Sequence, residues 1–348
     1  MSTVGFGKRI FAALLFLLFI FSLSLSLVSC GENEEPKVNN RVFYDYFDTV
    51  CVLYDYTGME SEKFSLLARS VEAAIAHYHR LFDIYHEYSG ITNIATLNRL
   101  AGTGKVEVSA EIIDFLSFSL EMHELTGGKV NVAMGSVLSL WHEYRAAQNG
   151  IPSTEELSAR ALHTSIDSVI IDKENLTVEI TDSSLSLDVG AIAKGYTAEI
   201  IKNELSAQGY SGLVLDMGGN LCAVGKKPSG EGWKSGIRNP LYFEGDQNPY
   251  TRTVMLLDDS LVTSGVYERY YTVDGVRYHH IIDPVSLMPE NRYLSVSVQT
   301  SHSGVADALS TAIFNMSESE AQALVSSLEE IEVTLVFADG SYKILGSD

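Results

Sequence analysis

The clearest apolar period in the chain lies between residues 60 and 82. There Phe64, Leu67, Val71, Ala74, Ile75, Tyr78 and Leu81 or Phe82 recur at steps of three and four. That spacing lines one face of a helix. A second helix is predicted from about Ser109, a candidate N-cap, to Thr126, where Gly127-Gly128 ends it. Helices are also predicted at 130–145 (with Gly135 inside), 191–207, 304–315 and 317–329, the last opened by a Ser317…Glu320 capping box. The aromatic and β-branched run 42–56 reads as a strand or two. Further strands are predicted at 168–172, 176–181, 185–189, 212–216, 254–258, 270–282, 293–299 and 331–338. The order is mixed rather than a strict βαβ alternation, with no internal repeat and no long linker after residue 41. The fold class it predicts is α+β.

The first forty residues follow a different pattern. Lys8 and Arg9 precede an apolar run from Ile10 to Leu27, and then comes Leu27-Val28-Ser29-Cys30. A basic start, an apolar stretch and a small residue before the cut form a secretory signal peptide. The small residue before Cys30 resembles a bacterial lipobox, in which the cysteine is lipidated and becomes the mature N-terminus. A run of 18 residues also just spans a bilayer, so a transmembrane anchor is the alternative. The position of Cys30, where cleavage should fall, favours the lipoprotein. Residues 31–40 are polar and aperiodic and read as a tether. The expected organisation is a signal peptide at 1–29, a tether at 30–40 and one domain at 41–348, lipid-anchored on the extracytoplasmic side of the cell membrane.

Composition adds exclusions. The chain has 348 residues, 46% of them hydrophobic, enough for a sizeable core. Acidic residues number 45 against 24 basic ones, a net charge of −21. Such a surface repels phosphate backbones, which argues against nucleic-acid binding; a phosphate ligand would need a local site with a metal ion or backbone amides. Of the cysteines, Cys51 and Cys222 could form one disulfide, but both sit in apolar strand-like stretches and read rather as buried free thiols.

Four segments carry candidate chemistry. In Leu187-Asp188-Val189-Gly190-Ala191-Ile192-Ala193-Lys194-Gly195-Tyr196, a strand runs through small residues into a helix, whose first amides favour an anion. Asp188 reads either as the helix cap or as a ligand-binding carboxylate, with Lys194 on a phosphate. Asp216-Met217-Gly218-Gly219-Asn220 reads as a tight turn or as a close backbone approach to a ligand. In His279-His280-Ile281-Ile282-Asp283-Pro284, strand alternation points the two imidazoles to opposite faces, so they do not chelate one metal together. One of them is a candidate base and the other is expected to be exposed, with a satisfied structural histidine as the alternative for each. In Gly304–Ala312, Asp307 and Thr311 are four apart on a helix and share a face. A carboxylate and a hydroxyl are hard ligands suited to Mg²⁺, which takes few protein ligands plus a substrate phosphate. Asp307 as a plain helix cap is the alternative.

In this order, the segments resemble the bacterial FAD:protein FMN transferases, the ApbE-type flavin transferases. The resemblance spans about residues 43–340. It rests on YFDT (46–49), LFDIY (81–85), GGKVNVAMGSVLSLW (127–141), DVGAIAKGYTAE (188–199), DMGGN (216–220), VTSGVYERYY (262–271), HHIIDP (279–284) and GVADALSTAIF (304–314). It implies a single mixed catalytic domain of a T-fold-related type that moves the FMN moiety of FAD onto a threonine hydroxyl of an acceptor protein with Mg²⁺, releasing AMP. The implied acceptor is a subunit of a membrane electron-transfer complex. Metal ligands would be Asp307, Thr311 and the Ala191 carbonyl, with Ser310 close by. Flavin contacts would fall on Phe47, Tyr85, Lys129, Val130, Asn131, Asp188, Lys194 and Tyr278. His280 matches a histidine implicated in the transfer step, and an aspartate in the site is an alternative base. The chain departs from the family pattern at Asn131, Ala133, Ser136, Leu287 and Ser310, where Ser310 removes an anionic ligand. Two other activities suit the same residues: a Mg²⁺-dependent FAD pyrophosphatase, if water replaces the threonine, and a non-catalytic FAD-binding lipoprotein.

Overall fold

The computed structural model describes residues 37–346 apart from residue 245, and from Val38 onward they form one compact unit. The expected signal peptide, Cys30 and most of the expected tether lie outside the described residues. Among the described residues no helix is long and apolar enough to cross a membrane. In chain order the elements are β1 (Asn39–Tyr46), β2 (Thr49–Asp55), α1 (Ser61–Phe82), α2 (Ile94–Arg99), β3 (Val106–Glu107), α3 (Ala110–Leu125), a 3₁₀ turn (Val132–Met134) and α4 (Gly135–Ala147). Next come α5 (Thr154–Ala161), β4 (Val169–Asp172), β5 (Thr177–Ile180), α6 (Ala193–Ala207), β6 (Leu213–Met217), β7 (Asn220–Val224), β8 (Trp233–Arg238) and β9 (Tyr250–Leu256). The chain ends with β10 (Ser260–Gly265), β11 (Tyr270–Val273), β12 (Val276–His279), β13 (Ser295–Thr300), α7 (Ser303–Phe314), α8 (Glu318–Val325), β14 (Glu332–Val336) and β15 (Tyr342–Gly346).

Eight strands build one antiparallel sheet in the order β1-β2-β6-β7-β10-β13-β14-β15. The apolar stripe of α1 meets α6 and the strands β2, β6 and β7, so that Leu67, Val71 and Ile75 pack with Ile201, Leu215 and Val224. Each such side chain contributes about 1.5–3 kcal/mol relative to exposure. Farther along the same sheet, α7 packs on β10 and β13, with Leu309 and Ile313 against Val262, Val296 and Val298. A separate cluster joins the hairpin β8–β9, through Trp233, Ile237 and Val254, to Val214, Ala223 and Leu261 on alternate positions of the sheet strands. The α+β class is thus a helical layer on a sheet, with a smaller three-stranded sheet β3-β5-β4 beside it.

Several expectations change in detail. The stretch 185–189 is not a strand. Leu185, Leu187 and Val189 are buried at alternating positions, but Asn98 stands in for a neighbouring strand, accepting from Leu187 N (2.7 Å) and donating to its carbonyl (2.9 Å). The predicted strand 270–282 is a hairpin, β11–β12, that turns at Asp274-Gly275, where both residues adopt positive φ. Cys51 and Cys222 are free and buried, and burial pushes both thiols up to about 12. The Ser317…Glu320 capping box forms as read.

Candidate active site

Loops and element ends converge on one cavity of about 1210 Å³. Pockets that bury drug-sized ligands measure roughly 300–1,000 Å³, so this one suits something larger. Its floor is the junction of α6 and α7. Gly195, at the third position of α6, donates its N–H to Asp307 Oδ2 (2.8 Å). The carboxylate of one helix thereby satisfies an amide that the other helix start leaves bare. Asp188 does not cap α6, because Ile192 holds that position. Instead Asp188 Oδ1 accepts from Gly190 N (3.0 Å) and shapes the loop before the helix. Asp307 is not a cap of its own helix either, since His302 caps α7.

Around Asp307 the groups are hard oxygens and one cation. Lys194 Nζ lies 3.7 Å from Asp307 Oδ2. Ser264 Oγ lies 2.8 Å from Ser310 Oγ and 3.4 Å from Thr311 Oγ1. Ala191, Asp307 and Thr311 line the cavity, whereas Ser310 is fully buried and its hydroxyl donates to the Asp307 carbonyl (3.0 Å). Burial raises the Asp307 carboxyl above the ordinary range, opposed by Lys194 and the Gly195 amide. No three His, Cys, Asp or Glu side chains converge as a metal cluster among the described residues. One buried carboxylate, hydroxyls and a carbonyl form an oxygen-only set that fits Mg²⁺ completed by phosphate and water, and does not fit zinc.

The two histidines part as strand alternation requires. His279 is buried, its Nε2 on the Glu290 carbonyl (2.8 Å) and its Nδ1 accepting from Ile281 N (3.2 Å). His280 faces the cavity. Its Nδ1 lies 3.1 Å from the Arg269 carbonyl, which only accepts, so Nδ1 carries the proton and Nε2 is bare. Desolvation lowers the imidazole to about 3, so it is neutral across the physiological range.

Other expected flavin contacts take varied positions. Phe47 sits in the β1–β2 turn with φ of +52°, its N–H on His79 Nδ1 (3.3 Å) and its ring edge-on to that imidazole. Tyr85 is 61% exposed at the mouth, its hydroxyl 3.4 Å from His142 Nδ1. Lys129 lines the cavity but pairs with Asp283 (3.0 Å). Val130 lines it as well, its carbonyl accepting from His123. The Asn131 side chain accepts from Ala133 N and donates to the Thr164 carbonyl, so its polar atoms are committed to the fold. Tyr278 does not line the cavity; its ring stacks on Trp141, centroids 6.0 Å apart. The DMGGN segment makes the two-residue β6–β7 hairpin, with Gly218 and Gly219 both at positive φ. A Cβ on Gly218 would stand 2.0 Å from Thr49 Oγ1, so the turn also needs its bare backbone.

Sequence reasoning missed Arg269 as an organiser. Besides holding His280 through its carbonyl, it donates from its guanidinium to the Asp48 carbonyl in the β1–β2 turn (3.1 Å). Its place in the VTSGVYERYY segment was the available signal. Asn220 was noted only within a turn; it is buried, it lines the cavity, and its Nδ2 has no partner.

Comparisons with known proteins identify the family and the fold. A family model described as "ApbE family" matches residues 47–335. A protein of Treponema pallidum (strain Nichols) named FAD:protein FMN transferase is 34% identical over 260 residues, 71% of this chain and 71% of its own. One of Escherichia coli (strain K12), with the same name, is 24% identical over 333 residues, 92% of each chain. The crystal structure of the ApbE protein of Thermotoga maritima superposes with a TM-score of 0.78 at 25% identity, over 89% of this chain and 97% of that one.

Proposed function

The chain belongs to the ApbE family, and on that premise we propose that it transfers the FMN moiety of FAD to a threonine hydroxyl of an acceptor protein. The observation that carries the reading is the single cavity in which a bare imidazole nitrogen, His280 Nε2, faces the same space as Asp307, Thr311 and Lys194. FAD binds there as substrate. In the step, the threonine oxygen forms a bond to the FMN phosphorus, and the bond from that phosphorus to the bridging oxygen breaks, releasing AMP. His280 Nε2 accepts the hydroxyl proton, while its Nδ1–H on Arg269 holds the ring. Lys194 offers its charge to the diphosphate. Asp307 and Thr311, with the Ala191 carbonyl, would hold Mg²⁺, and Ser310 supports them through Ser264. Mg²⁺ bound there supplies charge neutralisation for the diphosphate in the transition state. Phe47 and Tyr85 offer aromatic faces to flavin or adenine.

The acceptor proposed is a subunit of a membrane electron-transfer complex. The enzyme's own address is the extracytoplasmic face of the membrane, held through lipidated Cys30. The test is to mix residues 31–348 with FAD, Mg²⁺ and a candidate threonine-containing acceptor, following AMP and intact acceptor mass. A mass gain equal to FMN, with stoichiometric AMP, supports transfer. AMP and free FMN, with a known acceptor unmodified, overturn it in favour of hydrolysis; FAD bound with no AMP overturns it in favour of a binding protein.

A further inference from the structure

The hard-oxygen groups at the cavity floor sit on two helices, and what sets those helices against each other lies outside the cavity. Asp307, Ser310 and Thr311 belong to α7, while Ala191 lies two residues before α6. Their separation therefore depends on how far α7 is pushed along α6. At one end of the crossing, Asp307 of α7 accepts the Gly195 N–H of α6 (2.8 Å). At the other end the relation is reversed: Glu199 Oε2 of α6 accepts the N–H of Ser303, the first residue of α7 (2.7 Å). Each helix start thus has one of its free amides satisfied by a carboxylate of the other. Both carboxylates are buried, Glu199 at 8% exposure and Asp307 at 4%. Glu199 does not line the cavity. Its other near neighbours are His302 Nδ1 at 3.9 Å and Asn203 Nδ2 at 3.2 Å. Ser303 is gripped a second time, its hydroxyl donating to Asn220 Oδ1 (3.0 Å).

We propose that Glu199 is a positioning residue for the metal site, setting the register of α7 against α6 and with it the span from Asp307 and Thr311 to the Ala191 carbonyl. A buried carboxylate on a backbone N–H is a strong, charge-assisted bond at a helix end where the dipole favours negative charge. Without it, α7 keeps near its start the Ser303 hydroxyl on Asn220 and the Ser301 carbonyl on Lys202 Nζ of α6 (2.9 Å), but it loses the bond that fixes its first amide to α6, and with it part of the restraint on where Asp307 meets Gly195. Partners bonded directly to a metal ligand typically matter by about 10- to 100-fold in metal affinity, and Glu199, acting one step further out through the helix, belongs at the low end of that range. The proposal rests on the metal reading given above.

The experiment is calorimetric titration of Mg²⁺ into FAD-saturated wild-type protein and into FAD-saturated Glu199→Ala, Glu199→Gln and Asp307→Ala, with FAD affinity in metal-free buffer and circular dichroism measured on each. The expected result is a loss of about 10-fold or more in Mg²⁺ affinity for Glu199→Ala. Its metal-free FAD affinity stays near wild type, and Glu199→Gln recovers most of the Mg²⁺ affinity because a carboxamide oxygen still accepts the Ser303 N–H. Wild-type Mg²⁺ affinity in Glu199→Ala overturns the positioning role while leaving the metal reading intact. Equal loss of Mg²⁺ and FAD binding in folded Glu199→Ala overturns it too, since that reports general damage. If Glu199→Ala does not fold, Glu199→Gln decides: a 10-fold loss there overturns the bond-geometry argument, and retained affinity supports it. Should wild-type protein fail to bind Mg²⁺, or Asp307→Ala bind it normally, the metal reading falls and this proposal with it.

Discussion

Replacing Gly195 by alanine tests the helix crossing directly. Glycine is a poor helix former, and by propensity alone the change should stabilise α6 by up to about 1 kcal/mol. The surroundings reverse that sign. A Cβ on Gly195 would stand 2.5 Å from the Asp307 Cβ, 2.5 Å from the Ser303 carbonyl oxygen and 3.1 Å from Asn220 Nδ2. Carbon atoms in contact keep about 3.5–4.0 Å, so α7 must retreat by roughly 1 Å. Overpacking of this kind costs about 1–3 kcal/mol. The retreat also stretches the 2.8 Å bond from Gly195 N–H to Asp307, and a hydrogen bond to a charged group is worth about 1.5–3 kcal/mol. Net destabilisation of about 1–4 kcal/mol is expected, with a melting temperature several degrees lower. Mg²⁺ affinity should fall at the same time, because the group that moves is the carboxylate. Urea denaturation and Mg²⁺ calorimetry on the same preparations measure both. A Gly195→Ala protein as stable as wild type, with unchanged Mg²⁺ affinity, would refute the reasoning.

Asp307→Asn keeps an oxygen for the Gly195 N–H and removes a buried charge, so in metal-free buffer its melting temperature should hold or rise while Mg²⁺-dependent transfer is lost; a destabilised variant that still transfers contradicts this. His280→Ala should lower transfer more than FAD affinity, and equal losses would make His280 a binding residue. Because the His280 imidazole is lowered to about 3, transfer should show no limb of ordinary histidine titration between pH 8 and 5. The same shift makes the unfolded chain bind more protons between about 6.5 and 3, so His280 favours folding above that window and its contribution is lost as pH falls through it; denaturation curves at pH 7 and 4.5 check the sign. Lys129→Met leaves Asp283, only 6% exposed, without its cation, and should cost on the order of 3 kcal/mol, partly relieved by adding Asp283→Asn. Additive effects in that pair would show the ion pair to be unimportant.

Strong local rules carried the reading of the chain where they stood alone. The stripe of α1 runs at helical spacing for 22 residues, and Ser317 with Glu320 caps α8 in both directions. Weak or displaced signals were lost. Helix α5 buries only Leu157, although its Ser153…Glu156 capping box was there to be seen. Strand β8 carries Gly236, whose missing side chain is filled by the Tyr250 ring, a partner 14 residues away that no local pattern reports. At 185–189 the alternation was real but its hydrogen bonds went to Asn98 and to the backbone of residues 132 and 135. The site residues were legible as types at motif positions. Their partners were not, because Asp307 with Gly195 and Arg269 with Asp48 are joined only by the fold.

Those pairings have a consequence for the order in which a ribosome makes the chain. The contacts that shape the cavity span 112 residues for Gly195 and Asp307, 154 for Lys129 and Asp283, and 221 for Asp48 and Arg269. Local helices form early, but bonds of such length wait for their second partner to emerge. A nascent chain stopped short of residue 303 has α6 with its Gly195 amide bare, β13 unpaired along the edge that β14 will cover, and no α7 in the cavity floor. Flavin capture therefore waits for α7, and a chain that holds FAD certifies that Ser303–Phe314 has been made and docked.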